Sequence, residues 1–107
     1  MERPTRQEVL RWHAEICAGL ADPTRILILY ELAEGPRTGT ELARRLGLPQ
    51  STVARHLRVL ASRGLVIPSR KGGVVEYLLA DHRVLQALDL MRAVLIDRVH
   101  PYRHIAG

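Results

Sequence analysis

The 107 residues predict a mostly α fold with one β-hairpin: five helices and a two-stranded ribbon. Three observations lead there. Helix-capping residues recur along the chain, at Thr5 with Glu8, Asp22 with Pro23, Thr38 with Glu41, and Asp81. Apolar residues repeat at helical spacing behind each cap. Between the fourth and fifth helices, Leu65-Val66-Ile67 and Val74 to Leu79 flank Arg70-Lys71-Gly72-Gly73, which reads as a glycine hairpin between two strands.

The first helix opens on the Ser/Thr-x-x-Glu pattern of Thr5 and Glu8 and runs to about residue 20, with Val9, Trp12 or His13, Ile16 and Leu20 at helical intervals. Asp22-Pro23 starts a second helix that extends to about Ala33. Its text, RILILYELA, is apolar nearly all round, which makes it central, and Gly35-Pro36 stops it. Thr38 and Glu41 open a short third helix that ends at Gly47. A fourth helix follows from about Gln50 to Ser62, with Val53, Leu57 and Leu60 on one face and Ser51, Arg55, Arg58 and Ser62 roughly opposite. Pro68 has no N–H to give to a ladder, so the ribbon is of the edge type. Asp81 starts the last helix, about 81–99, which frays before Pro101. The whole reads as a single domain, 1–107.

Charge is distributed unevenly along this framework. All eleven carboxylates lie in residues 2–41 and 76–97. Residues 42–75 have none, yet carry Arg44, Arg45, Arg55, Arg58, Arg63, Arg70 and Lys71. A segment of +7 inside a chain of +5 is the electrostatic footprint of a face for a polyanion. Fifteen of the sixteen basic residues are Arg, the side chain suited to bidentate contact with phosphate and guanine.

Ala43, Gly47 and Val53 have the spacing of a helix-turn-helix: a small residue for close approach, a glycine for a left-handed turn, and an apolar residue that locks the pair. That unit spans about 38–62. The basic-tipped hairpin at about 65–79 follows it directly, an order that describes a winged helix-turn-helix. In such a unit the fourth helix enters the major groove and the wing meets neighbouring phosphates.

The stretches LADPTRILILYELAEG and ELARRLGLPQSTVARHLRVLASRGLV, together with the wing, resemble the ArsR/SmtB family of bacterial repressors over residues 20 to about 81. The resemblance implies a symmetric dimer joined through the first and last helices, about 5–20 and 81–99. It further implies an inverted-repeat operator in double-stranded DNA and release by an inducer, here unidentified. At matching positions it directs Gln50, Ser51, Thr52, Arg55 and His56 to the DNA, with Arg58 beside them and Arg70 and Lys71 on the wing. Ala54 stands where the family usually has serine. His56 has a second reading, packing against the third helix, of equal weight.

On the last helix Val84, Leu88, Met91 and Leu95 form one stripe. Leu85, Leu90, Val94 and Ile96 widen it beyond what one small core needs, so the surplus reads as a dimer interface. The family's cysteine-pair metal site falls on Thr38-Gly39-Thr40, which has no thiolate. Its site on the last helix falls on Asp81, Arg83, Val94 and Asp97, where two ligands are missing. Arg83 facing Asp97 of the partner subunit would replace a metal with an ion pair. His13 and Cys17, with Asp97, His100 and His104, offer an unusual intersubunit set. The preferred reading has Cys17 packed and the tail histidines solvated, so neither metal nor cofactor is expected.

No run is long and apolar enough to cross a membrane, no signal peptide is recognisable, and the one cysteine excludes an intrachain disulfide; the expected setting is the cytoplasm. No triad, phosphate loop or carboxylate pair supports catalysis. The competing reading is a winged-helix protein–protein module that docks an acidic partner on the same basic face.

Overall fold

Thr5 opens the first helix through its hydroxyl, which accepts the Glu8 N–H at 3.1 Å. The computed structural model describes residues 2–99. Helix α1 is Arg6–Glu15, shorter than its periodicity suggests. The chain then tightens into a 3-10 turn, Cys17–Leu20. Gly19 accounts for the change. It is buried, and a Cβ there would lie 2.9 Å from the Leu65 side chain, so backbone packs directly on the start of the wing.

Helix α2, Pro23–Leu32, is capped by Asp22, whose carboxylate accepts the Thr24 N–H at 2.8 Å. It supplies Ile28, Leu29 and Leu32 to the core. After Gly35-Pro36 the chain forms a short strand, β1, Arg37–Thr38. Helix α3, Gly39–Leu46, follows, then α4, Gln50–Ser62, and the strands β2, Val66–Lys71, and β3, Val74–Leu79. Helix α5 is Arg83–Val99. The architecture is a winged helix-turn-helix.

The two-stranded ribbon is corrected to a three-stranded antiparallel sheet, ordered β1-β3-β2. Arg37 pairs with Tyr77 and Thr38 with Glu76, because the chain must be extended just before the Thr38 cap and there lies against β3. Pro68 sits on β2, an edge strand, where a missing N–H costs nothing to the ladder.

The core is built from Ile28 and Leu29 on α2, Leu42 on α3, and Val53, Leu57 and Leu60 on α4. Leu85 and Leu88 of α5 join it. Burying one such side chain stabilises by about 1.5–3 kcal/mol, so stability is concentrated in α2 to α4. Helix α1 buries no residue at all. Leu88 corrects the expected interface: it is 5% exposed and belongs to its own protomer's core. Val84 packs partly against that core, whereas Met91 and Leu95 are exposed.

Candidate nucleic-acid interface

The helix-turn-helix is fastened at its first turn by a complete capping box. Thr38 Oγ1 accepts the Glu41 N–H at 3.1 Å, and the Glu41 carboxylate accepts the Thr38 N–H at 2.9 Å. The Thr38 N–H first, and then the Thr38 hydroxyl, hold the Glu41 carboxyl below its ordinary value. Ala43 is buried where α3 meets α4. Gly47 ends α3 with φ 67°, and the Leu48 N–H closes on the Ala43 carbonyl at 3.0 Å. The sharp turn sends α4 off with Val53, Leu57 and Leu60 inward.

The opposite side of α4 faces solvent. Gln50, Ser51, Ala54, Arg55 and Arg58 are exposed, and Thr52 is half-buried. Pro49 caps α4 without any side-chain bond, so no side chain competes for the positive end of the helix dipole, a setting that favours a phosphate. At the wing tip Gly72 and Gly73 both have positive φ, 54° and 84°, as a two-residue hairpin turn requires. Arg70 and Lys71 flank them, both exposed.

The seven cations of residues 42–75 separate into two groups. Arg45 folds back onto Glu31 at 2.6 Å, and that bond raises its pKa further. Arg63 donates to the Ala14 carbonyl, and Lys71 makes a loose pair with Glu76 at 3.8 Å. Among the described residues Arg44, Arg55, Arg58 and Arg70 have no hydrogen bond or ion pair. Four unneutralised guanidinium groups on α3, α4 and the wing tip can accept a polyanion without first breaking an internal bond.

His56 is corrected from the candidate surface to the interior. It is 5% exposed, and its Nδ1 accepts a hydrogen bond from Arg25 Nη1 at 3.2 Å, since a guanidinium can only donate. Asp22 lies 3.9 Å from its Nε2. Burial works to raise the Asp22 carboxyl, but the Thr24 N–H, His56 and Arg25 outweigh it and hold it below its ordinary value. The residue that sequence reasoning missed is Arg25. A lone guanidinium in an otherwise apolar helix was the available signal, because such a group needs internal partners. Arg44 was counted in the charged segment but not among the contact residues.

Residues 22–67 match the family described as bacterial regulatory protein, arsR family. Over 90 residues the chain is 42% identical to the HTH-type transcriptional regulator CmtR of Mycobacterium bovis, covering 82% of this chain and 76% of that one. The chain belongs to the arsR family. It is also 43% identical over 76 residues to the HTH-type transcriptional regulator NmtR of Mycobacterium tuberculosis; that match takes in 71% of this chain but only 63% of the relative. A solution NMR structure of a homodimeric winged helix-turn-helix DNA-binding domain from Mycobacterium bovis, a possible ArsR-family regulator, superposes with a TM-score of 0.79. It has 27% identity and covers 97% of this chain and 98% of that one.

The positions where arsR-family chains would carry metal ligands have other partners here. Thr38 is the α3 cap, and Arg83 pairs with Asp81 of its own chain at 2.7 Å. The Arg83 side chain, and then its backbone N–H, bring the Asp81 carboxyl down to about 2. His13 lies in α1, and Cys17 begins the 3-10 turn that follows it. Among the described residues no group of three or more His, Cys, Asp or Glu side chains is gathered as a metal site. His100 and His104 lie outside the described residues.

Proposed function

We propose that this arsR-family chain is a sequence-specific DNA-binding transcriptional repressor that works as a homodimer on an inverted-repeat operator. One observation carries the reading: a carboxylate-free segment folds so that Arg55 and Arg58 on α4, Arg44 on α3 and Arg70 on the wing remain unpaired and outward. In this reading α4 enters the major groove. Gln50, Ser51, Thr52 and Arg55 reach base edges and nearby phosphates, and Arg58, Arg70 and Lys71 hold the backbone. The exposed faces of α1 and α5, with Trp12, Leu90, Met91, Val94 and Leu95, form the subunit interface. An inducer would act by weakening the DNA-bound arrangement, and its identity is open. No described helix is long and apolar enough to cross a membrane.

A docking site for an acidic protein would place aromatic anchors at its centre. Residues 32–75 contain none, which favours DNA. The test is a titration of the labelled DNA upstream of its own gene against a scrambled duplex of equal length, at two salt concentrations. Marked preference for the upstream fragment is expected. Equal and steeply salt-dependent binding to both duplexes would leave only a basic surface.

A further inference from the structure

Helix α1 is attached to its own protomer in an unusual way. It buries no side chain, so apolar packing does not fix it. Two guanidinium groups from elsewhere in the fold instead reach the end of α1 and the 3-10 turn that follows it. Arg25, on α2, donates through Nε to the Gly19 carbonyl at 2.7 Å and through Nη2 to the Ala18 carbonyl at 3.3 Å. Its remaining nitrogen donates to His56 Nδ1, midway along α4. Arg63, at the C-cap of α4, donates to the Ala14 carbonyl near the end of α1. Between these two points buried Gly19 rests on the Leu65 and Arg63 side chains.

We propose that Arg25 and Arg63 are positioning residues that clamp the recognition helix α4, at its middle and its end, to the 14–19 segment. The clamp thereby sets the separation and angle of two recognition helices across the dimer. The inference rests on the reading that α4 meets DNA and that α1 and α5 meet a second copy. A planar guanidinium is suited to the task, because one side chain holds two carbonyls and an imidazole in fixed directions. Lysine at residue 25 would supply a charge without that geometry. The chemistry also assigns His56 a role: it offers Arg25 an acceptor on α4's buried face, which explains an imidazole among Val53, Leu57 and Leu60.

A dimer gains operator affinity only if both helices fit their half-sites together, and linkage of two modules contributes about 10²–10⁴ when geometry permits. Selection of random duplexes with the wild-type protein supplies the full operator, and half of it supplies the single site. Arg25→Met should bind the full operator at least about tenfold more weakly while half-site binding stays within about twofold, because only linked binding needs the clamp. It should also tolerate half-sites respaced by one or two base pairs that the wild type rejects. Arg25→Lys should fall between the two. His56→Leu, which keeps the buried face apolar and removes the acceptor, should lose operator binding as Arg25→Met does, and covers the case in which Arg25→Met does not fold. His56→Asn, which retains an acceptor, should restore most of the affinity. Equal losses on half-site and full operator, after correction for folded fraction by circular dichroism, would overturn the clamp and leave a structural role. Unchanged binding on both would overturn it too. Failure of the wild type to enrich any inverted repeat would instead remove the underlying DNA reading, and the clamp with it.

Discussion

Helices α1 and α4 are both amphipathic, yet only one is completed by its own chain. Helix α4 sends Val53, Leu57 and Leu60 into the core, each at most 1% exposed, and keeps unpaired arginines outside. Helix α1 exposes Val9, Leu10 and Trp12 and contributes nothing to that core. Helix α5 divides the same way within its own length: Leu85 and Leu88 face inward, whereas Leu90, at 71% exposed, and Leu95 face out. An apolar hollow of about 560 Å³ is lined by Leu20, Ile26, Tyr30, Met91 and Leu95 among others. In the proposed function, polar exposure on α4 is surface for an anion, and apolar exposure on α1 and α5 is surface for a second copy.

The most forceful way to break this contrast is to truncate one buried and one exposed leucine. Leu57→Ala should destabilise the protomer by about 2–5 kcal/mol, a large share of a typical domain's total stability of about 5–15 kcal/mol. Leu90→Glu should leave the urea-unfolding slope of a dilute sample unchanged but shift sedimentation equilibrium toward monomer. A Leu90→Glu protein that remained fully dimeric would place the interface elsewhere. Leu88 is unsuitable for that purpose, since its loss would damage the core first.

Within the basic face, Arg55→Ala should cost about 1–3 kcal/mol on the selected operator and little on scrambled DNA. Lys71→Ala, already in loose contact with Glu76, should weaken both duplexes alike. Fluorescence anisotropy on the two DNAs separates these cases. Identical losses would erase the division between base-reading and backbone-holding residues.

Much of this arrangement was legible in the sequence because it is written locally. Thr38 and Glu41 are three residues apart, Asp22 precedes Pro23, and Gly72-Gly73 supply the two positive φ angles of the hairpin. What depends on distant partners was not legible. His56 falls on the same face as Val53 and Leu60, but its burial depends on Arg25, thirty-one residues earlier. Strand β1 has no pattern of its own and exists because Tyr77 and Glu76 lie beside it. On α5 apolar residues nearly encircle the helix, so periodicity could not decide between Leu88 and Leu90 as the inward residue. Arg45 and Arg44 are equivalent in the charge map, and only the fold sets Glu31 against Arg45.

Smaller effects sharpen the contrast at the helix starts. Thr38→Ala removes the cap that begins the DNA-facing unit and should cost about 0.5–2 kcal/mol in thermal unfolding. The Asp81 carboxyl, held at about 2 against its ordinary 3.8, anchors the start of α5. Its folded-state value is the lower one, so its contribution is complete above about pH 4 and is lost as pH falls from 3.8 through about 2. An NMR titration of that carboxyl carbon should show the low midpoint. A midpoint near 3.8 would mean that Arg83 does not hold it in solution.

The division of surfaces is tested most directly by adding the selected operator to isotope-labelled protein and mapping which backbone amides shift. Changes should concentrate at residues 50–58 and at the wing tip, 70–73, with the exposed apolar positions of α1 and α5 little affected. Shifts centred on Leu10, Trp12, Leu90 and Val94, with α4 unmoved, would contradict the assignment of the basic face to DNA.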